Sequence, residues 1–232
     1  MKFIKAKNYE QLSQIAGEII AKQIREKPNC VLGLATGSSP VGTYRFLIEN
    51  DVDFSNVKTI NLDEYAGFSG DHAQSYRRFM NENLFDHVNI DKKNTYVPNG
   101  VAKDLEKETK EYDQRIEDFG GIDLQLLGIG IDGHIGFNEP DDCFTAETHI
   151  VTLDPSTIEA NSRFFSSKDE VPKQALTMGM KGIMTAKKIV LVANGKNKKE
   201  ILEKAMYGKI TPQVPASILQ LHSDITIIYS EE

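Results

Sequence analysis

Six consecutive residues, Cys30-Val31-Leu32-Gly33-Leu34-Ala35, carry no polar side chain, and a loop of small residues, Thr36 to Pro40, follows at once. A half-buried strand alternates apolar and polar positions. An unbroken apolar run this short instead reads as a strand covered on both faces, the situation of a parallel sheet. Parallel neighbours need long crossover connections, usually helices, and the rest of the chain has the pattern to supply them.

Asn8 caps a helix, with Gln11 three residues on making an approximate capping box. Leu12, Ile15, Ala16, Ile19, Ile20 and Ile24 follow as one helical stripe, which Pro28 and Asn29 end. Strands are expected over 2–6, 58–62, 122–127, 149–153, 188–193 and 225–229, and helices over 41–49, 75–84, 104–119 and 197–207. Residues 63–70 and 128–140 read as loops. The 232 residues show no repeat, no linker and no break in composition. The alternation therefore predicts an α/β fold in a single domain, 1–232: an open, mostly parallel sheet flanked by helices. Residues 154–173, with little regular pattern, form a candidate lid.

Charge and composition exclude several functions. With 27 Lys+Arg against 34 Asp+Glu the net charge is −7, which argues against a nucleic acid or an anionic membrane as partner. No stretch approaches the ~20 apolar residues of a membrane span, and the charged N-terminus has no signal-peptide run behind it. Cys30 and Cys143 form no CxxC pair and read as reduced thiols. A cytoplasmic protein is expected.

Ligands of open parallel sheets bind beyond the carboxyl ends of the strands, which selects three loops. Thr36-Gly37-Ser38-Ser39-Pro40 suits an anion cradle, with backbone N–H groups and a helix start behind them; the alternative is an ordinary turn with a capping serine. Gly37 and Gly42 have GxxxxG spacing, but Thr43 stands where a nucleotide-binding loop needs lysine. Gly128 to Gly133 matches the dinucleotide spacing GxGxxG, yet Gly136 and Pro140 preclude the helix that fingerprint requires. The same loop holds Asp132, His134 and Glu139 within eight residues. A histidine between two carboxylates suits general acid/base work; a metal site and a structural turn are the other readings. Asp63-Glu64 places an acidic pair at the end of a further strand, where a solvated loop is the ordinary reading. Arg163 and Lys198 are candidate local cations for an anion on an acidic protein.

Together, Asn61-Leu62-Asp63-Glu64-Tyr65, the Thr36-Gly37-Ser38-Ser39-Pro40 loop, Gly128 through Pro140 and Asn161-Ser162-Arg163-Phe164-Phe165 resemble the glucosamine-6-phosphate deaminase family, in order and spacing from about Leu32 to Leu221. The resemblance implies a Rossmann-like fold and the conversion of glucosamine 6-phosphate and water to fructose 6-phosphate and ammonia, without metal or organic cofactor. It assigns sugar-ring opening to His134, tuned by Asp132 and Glu139. Proton transfer from C2 to C1 falls to Asp63. Phosphate binding falls to Gly37, Ser38, Ser39, Arg163 and Lys198. The expected partner is thus a small sugar phosphate, with the chain a monomer or small homo-oligomer.

Two departures matter. Many family members have glycine where Ser38 stands, which affects loop geometry but leaves backbone donors. Longer, allosterically activated relatives carry basic residues where this chain has His149 and Val151, so no allosteric activation is expected. The rivals are a 6-phosphogluconolactonase, which lacks the Phe137-Asn138-Glu139-Pro140 continuation and has a basic residue at the Tyr65 position, and a non-catalytic sugar-phosphate sensor.

Overall fold

A computed structural model describes residues 1–232 apart from Ser156 and Ala160. In chain order the elements are β1 (Lys2–Lys5), α1 (Tyr9–Glu26), β2 (Val31–Leu34), α2 (Val41–Glu49), β3 (Lys58–Asn61), β4 (Asp63–Tyr65), α3 (Tyr76–Met80), β5 (Thr95–Tyr96), α4 (Leu105–Asp118), β6 (Leu124–Leu127), β7 (His149–Thr152), α5 (Pro155–Ser162), β8 (Gln174–Thr177), α6 (Met180–Met184), β9 (Ile189–Asn194), α7 (Lys199–Tyr207) and β10 (Ile225–Ser230). Seven strands form one parallel sheet in the order β1-β10-β9-β6-β2-β3-β5.

The double burial inferred for the apolar run holds: β2 is buried at every position. Along β9 the side chains alternate between two cores, Ile189, Leu191 and Ala193 in one and Val190 and Val192 in the other. The α1 stripe, through Leu12, Ala16, Ile20 and Ile24, joins Tyr44 and Leu47 of α2 on the second face. Tyr112 and Ile116 of α4 and Ile201, Leu202 and Ala205 of α7 cover the first. At the start of α1, Asn8 Oδ1 accepts from the Gln11 N–H at 2.9 Å, while Gln11 Oε1 accepts from the Lys7 N–H at 2.8 Å.

Three expectations need correction. Asp63 to Tyr65, read as a loop, is strand β4, paired antiparallel with β8, which in turn pairs with β7. The strand at 149–153 therefore belongs to this small second sheet. A three-residue strand is too short to show period-2 alternation, and its partner lies far along the chain. The helix expected over 75–84 is α-helical only to Met80 and continues as a π turn, Asn81–Phe85. Within 154–173 the backbone forms α5 and a 3₁₀ turn, Lys168–Glu170; Ser156 and Ala160 of this stretch lie outside the described residues. No described helix is long and apolar enough to cross a membrane.

Strand order sets where a ligand fits. From β2 the chain steps outward through β3 to β5, then crosses back to place β6 on the other side of β2 and proceeds through β9 to β10. The reversal leaves a crevice at the carboxyl ends of β2 and β6. Loops 36–40 and 128–140 leave the sheet there. Asp63 follows β3 and Lys198 follows β9, each one strand further out, at roughly 4.8 Å per strand.

Candidate active site

Asp63 is placed by the end of β3 and the start of β4. The Leu62 N–H donates to Leu34 O at 3.2 Å and the Met178 N–H to Leu62 O at 2.7 Å. The Tyr112 hydroxyl donates to Asn61 O at 2.8 Å. Asp63 is 6% exposed. Burial, and secondarily the charge of Glu64, push its carboxyl up to about 8, with His134 pulling the other way. A methyl group at Gly136 would stand 3.5 Å from Asp63 Oδ2, so loop 128–140 passes directly over the carboxylate.

That loop is pinned from both ends. The Phe137 N–H donates to Thr177 Oγ1 at 3.0 Å, and Asn138 Nδ2 donates to Ile135 O and Met178 O, each at 2.9 Å. At its start, the Gly130 N–H donates to His134 O at 2.9 Å. A Cβ on Gly130 would fall 2.3 Å from the His134 ring, so only glycine allows the loop to fold back this closely. The fold-back brings His134 Nδ1 to 2.8 Å from Asp132 Oδ1 and 3.5 Å from Glu139 Oε2.

The electrostatics follow from that packing. Burial disfavours the His134 imidazolium, but the close approach of the Asp132 and Glu139 carboxylates and their charges outweigh it, raising the ring to about 9. Burial likewise opposes the charge on Asp132, and His134 overcomes this and holds its carboxyl well below the usual range. The Glu139 side chain is 9% exposed, and neither carboxylate oxygen makes an aligned hydrogen bond. One ligand atom each from Asp132, His134 and Glu139 lie within 4.8 Å of one another. The cluster could hold either a proton on Nδ1 or a divalent cation.

The anion loop is built by Gly37, Ser38 and Ser39. Gly37 sits at φ +91°, a conformation that favours glycine. The capping serine considered for this turn is not found: Pro40 is the N-cap of α2 and makes no side-chain cap bond. Ser38 is exposed and Ser39 half-buried. Tyr9, from the first turn of α1, clasps the loop: its hydroxyl donates to Ser38 O (2.9 Å) or Ser39 O (3.2 Å) and accepts from the Gly42 N–H (2.8 Å). Lys198 Nζ donates to Ile129 O at 2.7 Å, at the root of loop 128–140. Burial lowers its pKa, the Asp132 charge raises it and the Arg163 charge lowers it. Arg163 itself is exposed, its guanidinium 4.6 Å from the Phe164 ring.

Two contributors, Tyr9 and Thr177, lie outside the motifs, and two more, Asn138 and Glu64, lie inside them without a role read from the sequence. Glu64 accepts from the N–H groups of Tyr65 and Tyr76 on Oε1 (2.9 Å each) and of Arg77 on Oε2 (3.0 Å), capping the start of α3. Its carboxyl is raised to about 7 by burial, which these donors oppose.

The model of the family described as glucosamine-6-phosphate isomerases/6-phosphogluconolactonase matches residues 5–228. A glucosamine-6-phosphate deaminase from Lachnoclostridium phytofermentans is 60% identical over 98% of each chain. One from Thermoanaerobacter sp. is 58% identical over 100% of this chain and 93% of the relative. Among solved structures, a monomeric glucosamine-6-phosphate deaminase superposes with a TM-score of 0.97 at 49% identity, over 99% of this chain and 97% of that one. A 6-phosphogluconolactonase from Thermotoga maritima reaches 0.80 at 18% identity over 100% and 99%, a likeness of fold alone. The chain belongs to the glucosamine-6-phosphate isomerase/6-phosphogluconolactonase family.

Proposed function

We propose that the protein converts glucosamine 6-phosphate and water to fructose 6-phosphate and ammonia. The observation that carries this reading is a buried carboxyl, Asp63, raised to about 8 beside a histidine held between two carboxylates, at the reversal point of the sheet. A carboxyl near neutrality takes and returns a proton with little driving force in either direction, as an aldose–ketose isomerisation requires.

The phosphate sits on the amides of Gly37, Ser38 and Ser39 and the Ser39 hydroxyl, with Arg163 and Lys198 supplying charge. His134, oriented by Asp132 and Glu139, moves the proton between the anomeric hydroxyl and the ring oxygen, so the ring C1–O5 bond breaks and C1 becomes an aldehyde. Asp63 takes the C2 proton, giving an enolamine, and returns it to C1. C2 is then an iminium carbon. Water adds to it, and the C2–N bond breaks with the electron pair leaving on nitrogen as ammonia, so C2 becomes the ketone. In this scheme a proton, not a cation, occupies the Asp132–His134–Glu139 cluster.

One chain contributes every group named, so a monomer is a sufficient catalytic unit. The segment 154–173, which carries Arg163, acts as the lid, and the setting is cytoplasmic. Incubation with glucosamine 6-phosphate and a coupled ammonia assay tests the reading: stoichiometric ammonia and fructose 6-phosphate are expected. Hydrolysis of 6-phosphogluconolactone without ammonia release would establish the lactonase instead, and tight sugar-phosphate binding without turnover the sensor.

A further inference from the structure

Tyr65 is 2% exposed and lies on β4 two positions beyond Asp63. Residues two apart on a strand share a face, so its side chain leaves the strand on the same side as the carboxylate. Around its ring stand Tyr76 (centroids 4.9 Å apart), Phe68 (5.5 Å), Phe137 (5.7 Å) and Phe165 (6.0 Å). Phe137 belongs to the loop that holds His134 and Glu139, and Phe165 follows Arg163 by two residues. The Tyr65 hydroxyl accepts from Asn161 Nδ2 at 3.0 Å, two residues before Arg163. One side chain therefore touches the carriers of the proposed base, of the histidine cluster and of the phosphate arginine.

These contacts differ in kind. The ring contacts are non-directional and tolerate small displacements. The bond to Asn161 is directional and fixes α5 at one point close to Arg163. Much of the chain beyond it, including Arg163, Phe164 and residues 166–170, is exposed. Without that bond the arm keeps its apolar contact through Ile158 and Phe165 but loses its register against β4. Acid catalysis by the phenol is a poor alternative, since burial, the largest influence on the group, pushes it up to about 12.

We propose that Tyr65 is a positioning residue: through its hydroxyl and Asn161 it registers the Arg163 arm against the strand bearing Asp63, so that phosphate capture places the sugar for proton transfer. The proposal rests on the sugar-phosphate reading above for the roles of Arg163 and Asp63.

The test compares wild type, Y65F, N161A and the double variant. Y65F keeps the ring but removes the latch together with the longer bond the hydroxyl accepts from the Tyr76 hydroxyl at 3.4 Å, whereas N161A removes the latch alone, from the partly exposed side, so a folding failure of one leaves the other. Each single variant is expected to raise KM for glucosamine 6-phosphate about threefold to tenfold, the range of one directional hydrogen bond, with kcat within about twofold. Because the Tyr65–Asn161 bond is already lost in Y65F, adding N161A is expected to cost nothing further, and the double variant is expected to match Y65F. Inorganic phosphate, followed by calorimetry, is expected to bind less tightly by the same factor. Amide exchange over 155–165 is expected to accelerate while that of α1 stays unchanged. Unchanged KM and phosphate affinity in Y65F, losses that multiply in the double variant, or a fall in kcat at constant KM would each overturn the latch. If wild type released no ammonia the function would fall, while phosphate affinity and amide exchange would still decide on Tyr65.

Discussion

Replacing Asp63 with Asn is expected to abolish turnover and to stabilise the fold at neutral pH. The Asp63 carboxyl ordinarily ionises near 3.8 and is pushed up to about 8 in the folded chain, chiefly by burial. Below 3.8 both folded and unfolded chains hold the proton. Between 3.8 and 8 only the folded chain holds it, so wild-type stability falls as pH rises through that window and levels off above it. Each pH unit corresponds to ~1.4 kcal/mol, so about three units at pH 7 amount to ~4 kcal/mol of destabilisation. Asn has no charge to bury, but its amide is desolvated at ~1–2 kcal/mol. The net gain is ~2–3 kcal/mol, or a rise in melting temperature of roughly 4–12 °C for a chain of this size. Thermal unfolding of both proteins between about pH 5 and about pH 9 measures it. The two should nearly coincide at the acid end and separate as pH rises to a plateau near 8. A variant that melts below wild type at neutral pH, or a difference independent of pH, would refute the reasoning. Turnover should fall by ~10² or more, the usual loss for a general base.

Other consequences are equally open to measurement. The His134 ring should titrate near 9 by NMR, and Asp132→Asn should bring it down. Because the folded value lies above the ordinary 6.5, the stabilisation, ~3 kcal/mol, is complete below 6.5 and is lost as pH rises through about 9. Gly130→Ala should displace the His134–Asp132 pair, since its methyl would fall 2.3 Å from the ring, with activity reduced by ~10² or more and stability by ~1–3 kcal/mol. Lys198→Ala should raise KM about tenfold or more, with a smaller effect on kcat. Rate curves should be hyperbolic with and without N-acetylglucosamine 6-phosphate; sigmoidal curves made hyperbolic by that compound would disprove the expectation drawn from His149 and Val151.

The large sheet was legible because its signals are local. Double burial of β2 shows in six residues, and the α1 stripe and its cap show in one helix. The second sheet was not, because β4 and β8 are short and each owes its existence to the other. Site residues divide along the same line. Asp132, His134 and Glu139 are close in sequence and meet as read, because Gly130 lets the loop turn back on itself. Tyr9 and Thr177 escaped because each acts on a loop far away in the chain, and nothing near either residue marks it.

The pair Asp63-Glu64 shows what that missing strand conceals. Read as a loop, two adjacent acids are equivalent, and either could face the cleft. On a strand they cannot, because neighbouring side chains leave opposite faces. Glu64 turns to the start of α3, where three backbone N–H groups favour its charged form. Both carboxyls are buried, but Asp63 turns under the loop that holds His134, where burial and the Glu64 charge favour the proton. Glu64 in turn is a fixed neighbour that lifts Asp63 further. The difference between two identical functional groups thus comes from the β4–β8 pairing: the backbone hydrogen bonds between residues 63–65 and 175–177 decide which carboxylate lies under the His134 loop, in the place of the proposed base.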